Sequence, residues 1–142
     1  MATLLLVDDD AAVRETLYDL LSGTHECHTA DRAEQAIEYL EIETYAAVLT
    51  DILMPGLGGI EILRRIRLDH PATPVIVISG NVVDHEAVLI ELRAFAYFAK
   101  PFQLDEIEDA VARAISHHQQ LLELALPKVR TSSASDAPPD EI

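Results

Sequence analysis

The sequence contains a single cysteine, Cys27, among its 142 residues. An intramolecular disulfide is therefore excluded, and no combination of cysteine and histidine has the spacing of a zinc motif. So little cysteine is typical of proteins that work in a reducing compartment, and we expect a cytoplasmic protein. Cys27 itself is expected to be a small, buried, apolar residue rather than a nucleophile.

Long apolar runs and basic residues are also scarce. No segment approaches the roughly 20 apolar residues that cross a bilayer, and no basic residue precedes the first apolar stretch. Only 10 Lys and Arg stand against 25 Asp and Glu, which gives a formal net charge of −15. Because this charge repels phosphate backbones and anionic lipids, we expect neither direct nucleic-acid binding nor membrane association.

Short apolar runs alternate five times with segments of helical spacing. The runs cover residues 3–7, 25–29, 46–50, 74–79 and 95–99. The helical stripes are Val13, Leu17, Leu20 and Leu21; Ala33, Ala36, Ile37 and Leu40; Ile60, Leu63, Ile66 and Leu68; Ala87, Leu89, Ile90 and Leu92; and Ile107, Val111, Ala114 and Ile115. This alternation predicts a doubly wound α/β domain with a parallel sheet and right-handed crossovers.

Polar side chains stand at the carboxyl ends of the predicted strands. Asp8, Asp9 and Asp10 (residues 8–10) follow the first strand, Asp51 follows the third, Ser79 closes the fourth and Lys100 follows the fifth. Ligands of open parallel sheets bind at these ends, where the strand order reverses. With the order 2-1-3-4-5, Asp9 and Asp51 would face each other at that point.

Converging carboxylates repel one another, by a few kcal/mol for a pair about 4 Å apart at an effective dielectric near 20. One lysine does not neutralise three of them, whereas Mg²⁺ prefers such oxygen ligands. A bound metal would also shield an incoming phosphoryl group, so that one carboxylate can attack phosphorus. Asp51 stands alone at its strand end, which favours it as the nucleophile, with Asp8 and Asp9 as metal ligands. Lys100 and Ser79 would then contact phosphoryl oxygens.

Simpler interpretations exist for each segment. Residues 8–10 are also typical of a helix N-cap, Asp51 of a turn before residues 54–56 (MPG), and Lys100 of a strand terminus before proline. We prefer the joint site because all four strand ends carry such residues. The adjacent His117 and His118 point about 100° apart on a helix, so they are poor co-ligands and are expected to be solvated.

Four segments together resemble the signature blocks of response regulator receiver domains from two-component signalling. They are residues 4–10 (LLLVDDD), 51–59 (DILMPGLGG), 77–80 (VISG) and 97–102 (YFAKPF). Each block is weak alone, but their order and spacing, from residue 3 to about 118, are highly specific. The resemblance implies a flavodoxin-like (βα)5 fold with strand order 2-1-3-4-5. It also implies that Asp51 accepts a phosphoryl group from a sensor histidine kinase, a histidine phosphotransfer protein or a small phosphodonor.

The resemblance further implies the ligands of the metal and of the phosphoryl group. Asp9, Asp51 and the Leu53 carbonyl would bind Mg²⁺ or Mn²⁺ directly, and Asp8 would act mainly through water. The phosphoryl oxygens would contact Lys100, Ser79 and the backbone amides of Ile52 and Gly80. Such a domain catalyses only its own phosphorylation and dephosphorylation, and it is not a turnover enzyme.

Other roles follow from the same resemblance. Tyr97 matches the aromatic residue that swings inward when Ser79 moves, while Leu53 and Asn81 occupy the positions that tune phosphate lifetime. The bond before Pro101 matches one that is usually cis. Output would use the surface of the fourth helix, fifth strand and fifth helix, through a homodimer or another partner. Two positions depart from the family pattern: Gly58 replaces an Asp or Asn, and Arg93 stands where glycine is common.

We expect the domain to cover residues 1–120, with a last helix that begins near Gln103. Apolar residues continue along it at Leu121, Leu122, Leu124 and Leu126. Residues 121–130 would thus extend this helix or form a linker, and residues 131–142 (TSSASDAPPDEI) have the composition of a disordered tail. No DNA-binding, GGDEF-like or ATPase segment follows residue 130, which indicates either a stand-alone regulator or a receiver cut within its linker.

Two alternatives remain. The DxD pattern of residues 8–10 after a first strand, with a downstream lysine, is shared with haloacid-dehalogenase-like phosphatases. That family usually has Thr or Val where this chain has Ala12, and the chain is short for its cap domain. The second alternative is a receiver that acts as a dimerisation or binding module without phosphorylation.

Overall fold

A computed structural model describes residues 1–56 and 58–125, in which five strands alternate with five helices. The strands are β1 (Thr3–Val7), β2 (Glu26–Ala30), β3 (Ala47–Thr50), β4 (Val75–Ser79) and β5 (Ala96–Ala99). The helices are α1 (Ala11–Leu21), α2 (Ala33–Ile42), α3 (Gly59–Asp69), α4 (Glu86–Glu91) and α5 (Leu104–Leu124), with a 3₁₀ turn at Val83–His85. The predicted tail, 131–142, and residues 126–130 lie outside the described residues.

The five strands form one parallel sheet in the order β2-β1-β3-β4-β5, which confirms the predicted fold class. In the register, Val7 pairs with Ala30 on one side and with Thr50 on the other. The strand order reverses beside β1, where successive connections leave toward opposite sides. A crevice at the carboxyl ends of β1 and β3 is the consequence.

Both faces of the sheet are covered, which explains why its strands read as continuous apolar runs. Leu5 and Val7 of β1 face a core built with α2, α3 and α4. Leu4 and Leu6 face the opposite core, built with α1 and α5. All four side chains are almost completely buried. No helix among the described residues is both long enough and apolar enough to cross a membrane.

The element boundaries lie close to those predicted. In α3 and α4, however, some residues of the predicted apolar stripe are exposed rather than buried. Leu68 is 80% exposed, because it lies two residues beyond the buried Ile66 and so faces away from the core. Ile90 is 62% exposed and Ala87 is exposed as well, because α4 spans only six residues and presents only Leu89 as a buried side chain. The fifth helix begins after Gln103, as expected, and continues to Leu124.

The prediction for His118 is also wrong. This residue is only 6% exposed, and its Nδ1–H donates a hydrogen bond to the carbonyl of Ala72 at 2.9 Å. The reason is its position four residues after Ala114, which continues the inward-facing stripe of α5. His117 is exposed, as expected, with its ring beside Phe95.

Candidate functional site

The ends of β1 and β3 bring three carboxylates together. Asp8 and Asp51 each follow the last residue of their strand and are 2% and 6% exposed, while Asp9 is exposed. Each of the three offers one oxygen, and these oxygens lie within 4.8 Å of one another. The convergence expected from the strand order is therefore present in the fold.

Lys100 reaches this cluster from the end of β5. Its Nζ donates hydrogen bonds to Oδ2 of Asp8 at 2.8 Å and to Oδ2 of Asp51 at 2.7 Å. Partial burial alone would lower the pKa of Lys100, but the hydrogen bonds to Asp51 and Asp8 outweigh it and raise that pKa. Burial raises the pKa of Asp8 more than Lys100 lowers it. The lysine thus offsets only part of the acidic charge.

The Asp51 carboxylate is held at both oxygens. Its Oδ1 accepts a hydrogen bond from the backbone N–H of Leu53 at 2.9 Å, while Oδ2 accepts the one from Lys100. Thr50 Oγ1 donates to the Asp51 carbonyl at 2.9 Å. The Leu53 amide was not predicted as a partner of Asp51, although aspartate commonly accepts from the amide two residues later.

Gly59 allows the chain to return directly beneath Asp51. A Cβ atom at Gly59 would lie 1.8 Å from the Asp51 carbonyl oxygen, which no side chain can tolerate. Gly58, the departure from the family pattern, precedes α3 without a side-chain cap. The other departure, Arg93, has φ 57°, the left-handed conformation that favours glycine.

Ser79 lies at the same edge of the sheet, between the ends of β3 and β5. Its side chain is completely buried, and its Oγ accepts a hydrogen bond from the Asn81 amide at 3.4 Å. The Ser79 carbonyl accepts one from the Lys100 amide at 3.0 Å. Gly80 next to it is exposed, and Ile52 is buried on the β3 side. The bond between Lys100 and Pro101 is cis, as the resemblance implies.

Tyr97 is directed toward α4. Its hydroxyl donates a short hydrogen bond, 2.6 Å, to Oε2 of Glu86, and its ring is partly buried. This hydrogen bond and burial raise the pKa of Tyr97. Glu86 was not predicted as a partner, because no spacing rule links a short helix to the following strand.

The three successive aspartates have different roles. The Oδ1 of Asp10 accepts from the Ala12 amide at 2.9 Å and caps α1, so the N-cap interpretation is correct for this residue. Asp8 instead accepts from the Asp10 amide at 2.9 Å and belongs to the acidic cluster with Asp9. Arg14, which the sequence did not single out, donates from Nη1 to the Asp8 carbonyl at 2.7 Å.

The chemistry of these donors suits a hard divalent cation. Three carboxylates face one ammonium group, so the cluster keeps an excess of negative charge. Carboxylate oxygens, completed by water and a backbone carbonyl, are the ligands that Mg²⁺ prefers. The same geometry places one restrained carboxylate, Asp51, beside an ammonium donor and the end of β4. That arrangement suits attack on an anionic electrophile.

Comparisons with known proteins agree with this geometry. The family model described as the response regulator receiver domain matches residues 4–112. The DNA-binding transcriptional regulator NtrC of Escherichia coli is 37% identical over 117 residues, 81% of this chain and 25% of NtrC. The response regulator FleR of Pseudomonas aeruginosa is 40% identical over 114 residues, 79% of this chain and 24% of FleR. The chain thus spans about a quarter of these relatives.

A solved structure shows the same similarity in three dimensions. The response regulator TrrA of Thermotoga maritima, in complex with Mg²⁺ and BeF, is 30% identical to this chain. The match covers 80% of this chain and 99% of TrrA, with a TM-score of 0.73. From the family match, the shared strand order and the acidic crevice, the chain belongs to the response regulator receiver domain family.

Proposed function

We propose that this chain is a phosphorylation-driven signalling switch that accepts a phosphoryl group on Asp51. The donor is a sensor histidine kinase, a histidine phosphotransfer protein or a small phosphodonor. The observation that carries the proposal is the environment of Asp51, a nearly buried carboxylate that is held at both oxygens and lies 2.7 Å from the Lys100 ammonium. A carboxylate with only a turn or capping role has no need of this set of partners.

In the proposed reaction, an Asp51 carboxylate oxygen forms a bond to phosphorus. The bond between phosphorus and the donor's leaving group, a histidine nitrogen or an acetate oxygen, breaks, and its electron pair leaves with that group. Lys100 and the Ser79 hydroxyl then face the phosphoryl oxygens, together with the amides of Ile52 and Gly80. Hydrolysis of the acyl phosphate restores Asp51, so the domain acts on itself rather than on a pool of substrate.

Asp8, Asp9 and Asp51, with the Leu53 carbonyl, are the proposed ligands of Mg²⁺ or Mn²⁺. When bound, the cation supplies positive charge that neutralises the cluster and the incoming phosphoryl oxygens. The complex of the related TrrA with Mg²⁺ and BeF supports this assignment, since beryllium fluoride is a phosphoryl mimic. Leu53, 49% exposed, and the partly buried Asn81 flank the crevice, and we propose that they control how readily water reaches the phosphoryl group.

Signal output is proposed to involve Tyr97 and the surface of α4, β5 and α5, through a homodimer or another partner. In the present structure Tyr97 is hydrogen-bonded to Glu86 on α4, so its movement would change that helix. We propose a receiver unit of residues 1–120 that works in the cytoplasm. The DNA-binding role of NtrC is not carried over, because the chain spans only a quarter of that protein.

The test is phosphorylation with acetyl phosphate and Mg²⁺, followed by intact-protein mass spectrometry. We expect one added phosphate on the wild type, none on Asp51→Asn, and one on the control Asp19→Asn, which removes an exposed acidic residue of α1. Normal labelling of Asp51→Asn would disprove the nucleophile. Repeated turnover of a phosphomonoester that Asp8→Asn blocks and Asp51→Asn spares would favour the phosphatase alternative. A wild type that takes no label would favour the phosphorylation-independent module.

A further inference from the structure

The peptide between Asp8 and Asp9 connects two adjacent residues whose side chains lie in the same acidic cluster. Adjacent residues of an extended strand point to opposite faces of the sheet. Asp8 and Asp9 nevertheless present oxygens to the same cluster, within 4.8 Å of each other and of an Asp51 oxygen. The chain must therefore leave the strand conformation just after Val7, where β1 ends. Convergence of the two carboxylates depends on how this peptide is oriented.

The backbone hydrogen bonds show where the chain leaves the sheet. The Val7 carbonyl still accepts from the Asp51 amide at 3.1 Å, and the Asp8 amide still donates to the Ala30 carbonyl at 3.2 Å. The Asp8 carbonyl instead accepts a hydrogen bond from Nη1 of Arg14 at 2.7 Å, a charged donor at the end of the first turn of α1. The Asp8–Asp9 peptide is thus the first one beyond the sheet, and its carbonyl is bound by a side chain instead of a neighbouring strand. Hydrogen bonds to a charged donor are stronger than those between neutral groups.

We infer that Arg14 is a positioning residue, which fixes the Asp8–Asp9 peptide so that both carboxylates face the metal. This inference rests on the proposed function. Arg14 holds the backbone carbonyl of Asp8, whose Oδ1 and Oδ2 are bound by the Asp10 amide and by Lys100. Outer contacts that orient metal ligands typically change metal affinity by about 10–100-fold when they are removed.

Whether Mg²⁺ affinity falls or rises when Arg14 is replaced distinguishes a positioning role from a purely electrostatic one. Removing an arginine from a protein of net charge −15 increases the attraction for a divalent cation, so charge alone predicts tighter Mg²⁺ binding. Loss of positioning predicts weaker binding. The two explanations of Arg14 therefore give opposite results in one measurement.

The experiment is calorimetric titration of Mg²⁺ into the wild type, Arg14→Met, Arg14→Lys and Arg113→Met. The control, Arg113, is exposed, forms an ion pair with Asp109 on its own helix and lies over the Phe95 ring, at the opposite end of β5 from Lys100. Its replacement therefore removes the same charge away from the acidic cluster. We expect Arg14→Met to weaken Mg²⁺ binding by about tenfold. Arg14→Lys keeps one charged donor and should lie between Arg14→Met and the wild type, while Arg113→Met should bind Mg²⁺ as tightly as the wild type or slightly tighter.

The Mg²⁺ dependence of phosphorylation distinguishes a positioning role from a general disruption of the site. Phosphorylation of Arg14→Met by acetyl phosphate should need more Mg²⁺, but its rate at saturating Mg²⁺ should return close to that of the wild type. If Arg14→Met does not fold, Arg14→Gln, a good helix former that lacks the guanidinium group, takes its place.

Each outcome has a definite meaning. If the wild type binds Mg²⁺ and is labelled, but Arg14→Met binds Mg²⁺ equally or more tightly, the positioning role is wrong and the proposed function stands. A phosphorylation rate that stays low at saturating Mg²⁺ also contradicts positioning. If the wild type binds no Mg²⁺, or Asp9→Asn binds it unchanged, the proposed metal site fails and the role of Arg14 fails with it.

Discussion

The Nζ atom of Lys100 lies 2.7 Å from Oδ2 of Asp51, across the carboxyl end of β4. The same nitrogen donates a hydrogen bond to Oδ2 of Asp8 at 2.8 Å, so one ammonium group bridges two almost buried carboxylates. These two contacts join β1, β3 and β5 at the candidate site. The stability of the domain should therefore depend on a positive charge between Asp8 and Asp51.

Lys100→Met is expected to lower the free energy of unfolding by about 2 kcal/mol in the absence of divalent ions. This is less than the roughly 3–5 kcal/mol of a broken buried pair, because Lys100 is partly open to solvent. Mg²⁺ should stabilise Lys100→Met more than the wild type, since the cation takes over the neutralisation. Urea unfolding with and without Mg²⁺ measures both effects, with Arg113→Met as the control. Equal stabilisation of the two proteins by Mg²⁺ would contradict this view.

Glu86→Ala is expected to release Tyr97 from α4 and to lower the pKa of its phenol toward 10.0, because the hydrogen bond from the hydroxyl to Glu86 holds that pKa up. Fluorotyrosine NMR on labelled protein, with Tyr97→Phe for assignment, follows both the titration and the ring position. Glu91→Ala, an exposed change on the same helix, should leave the Tyr97 signal unchanged. An identical Tyr97 titration in Glu86→Ala would mean that the hydrogen bond is absent in solution.

Gly59→Ala should lower the free energy of unfolding by about 3 kcal/mol. Its Cβ would overlap the Asp51 carbonyl, so the backbone must move. The same change at Gly23, where no atom lies within 4 Å of the added Cβ, should have little effect. Thermal and urea unfolding of the two variants test the contrast. Equal stability of both would show that the loop before α3 follows another path.

Arg93→Gly should raise the free energy of unfolding by about 1 kcal/mol, because Arg93 occupies the left-handed region, which glycine adopts without strain. The opposite result is expected for Arg64→Gly, which places glycine inside α3 and should lower stability by about 1 kcal/mol. Urea denaturation measures both. A loss of stability in Arg93→Gly would show that contacts of the arginine side chain stabilise the fold by more than the left-handed backbone conformation destabilises it.

Cys27 should react slowly with alkylating reagents in the folded protein. The residue is partly rather than fully buried, and burial raises its pKa from 9.0 to about 11. At neutral pH the reactive thiolate is therefore about 100-fold scarcer than in the unfolded chain. The alkylation rate should keep rising with pH toward 11, whereas in denaturant it should level off near 9. A folded-state rate that levels off near 9 would exclude this environment.

The fold was predictable because it depends on a periodic signal. Continuous apolar runs and helical stripes alternate five times, and only a sheet covered on both faces buries them all. The misassigned stripe residues, Leu68, Ala87 and Ile90, lie near the end of α3 or in the short α4. His118 was misjudged as solvated because it is a polar residue on the inward-facing stripe of α5, and its hydrogen bond to the Ala72 carbonyl forms between segments that are distant in the chain.

The site was predictable to the extent that its residues lie at strand ends. Ser79 closes a predicted strand, and Asp8, Asp51 and Lys100 each directly follow one. Parallel strands bring such ends to one edge of the sheet. The sequence left Asp10 out of the metal ligands, but it did not single out Asp10 as the residue of the three that caps α1. Contacts that cross between elements, such as Tyr97 with Glu86, have no fixed spacing along the chain.

The sequence by itself determined the order of the elements, the residues at each strand end and the family. These properties follow from local periodicity and from motifs whose order can be read along the chain. The tertiary structure alone decided that Asp51 is held by Lys100 and the Leu53 amide, and that Arg14 binds the Asp8 carbonyl. The physical reason is that hydrogen bonds depend on distances of tenths of an ångström, which only the packing of helices against the sheet sets.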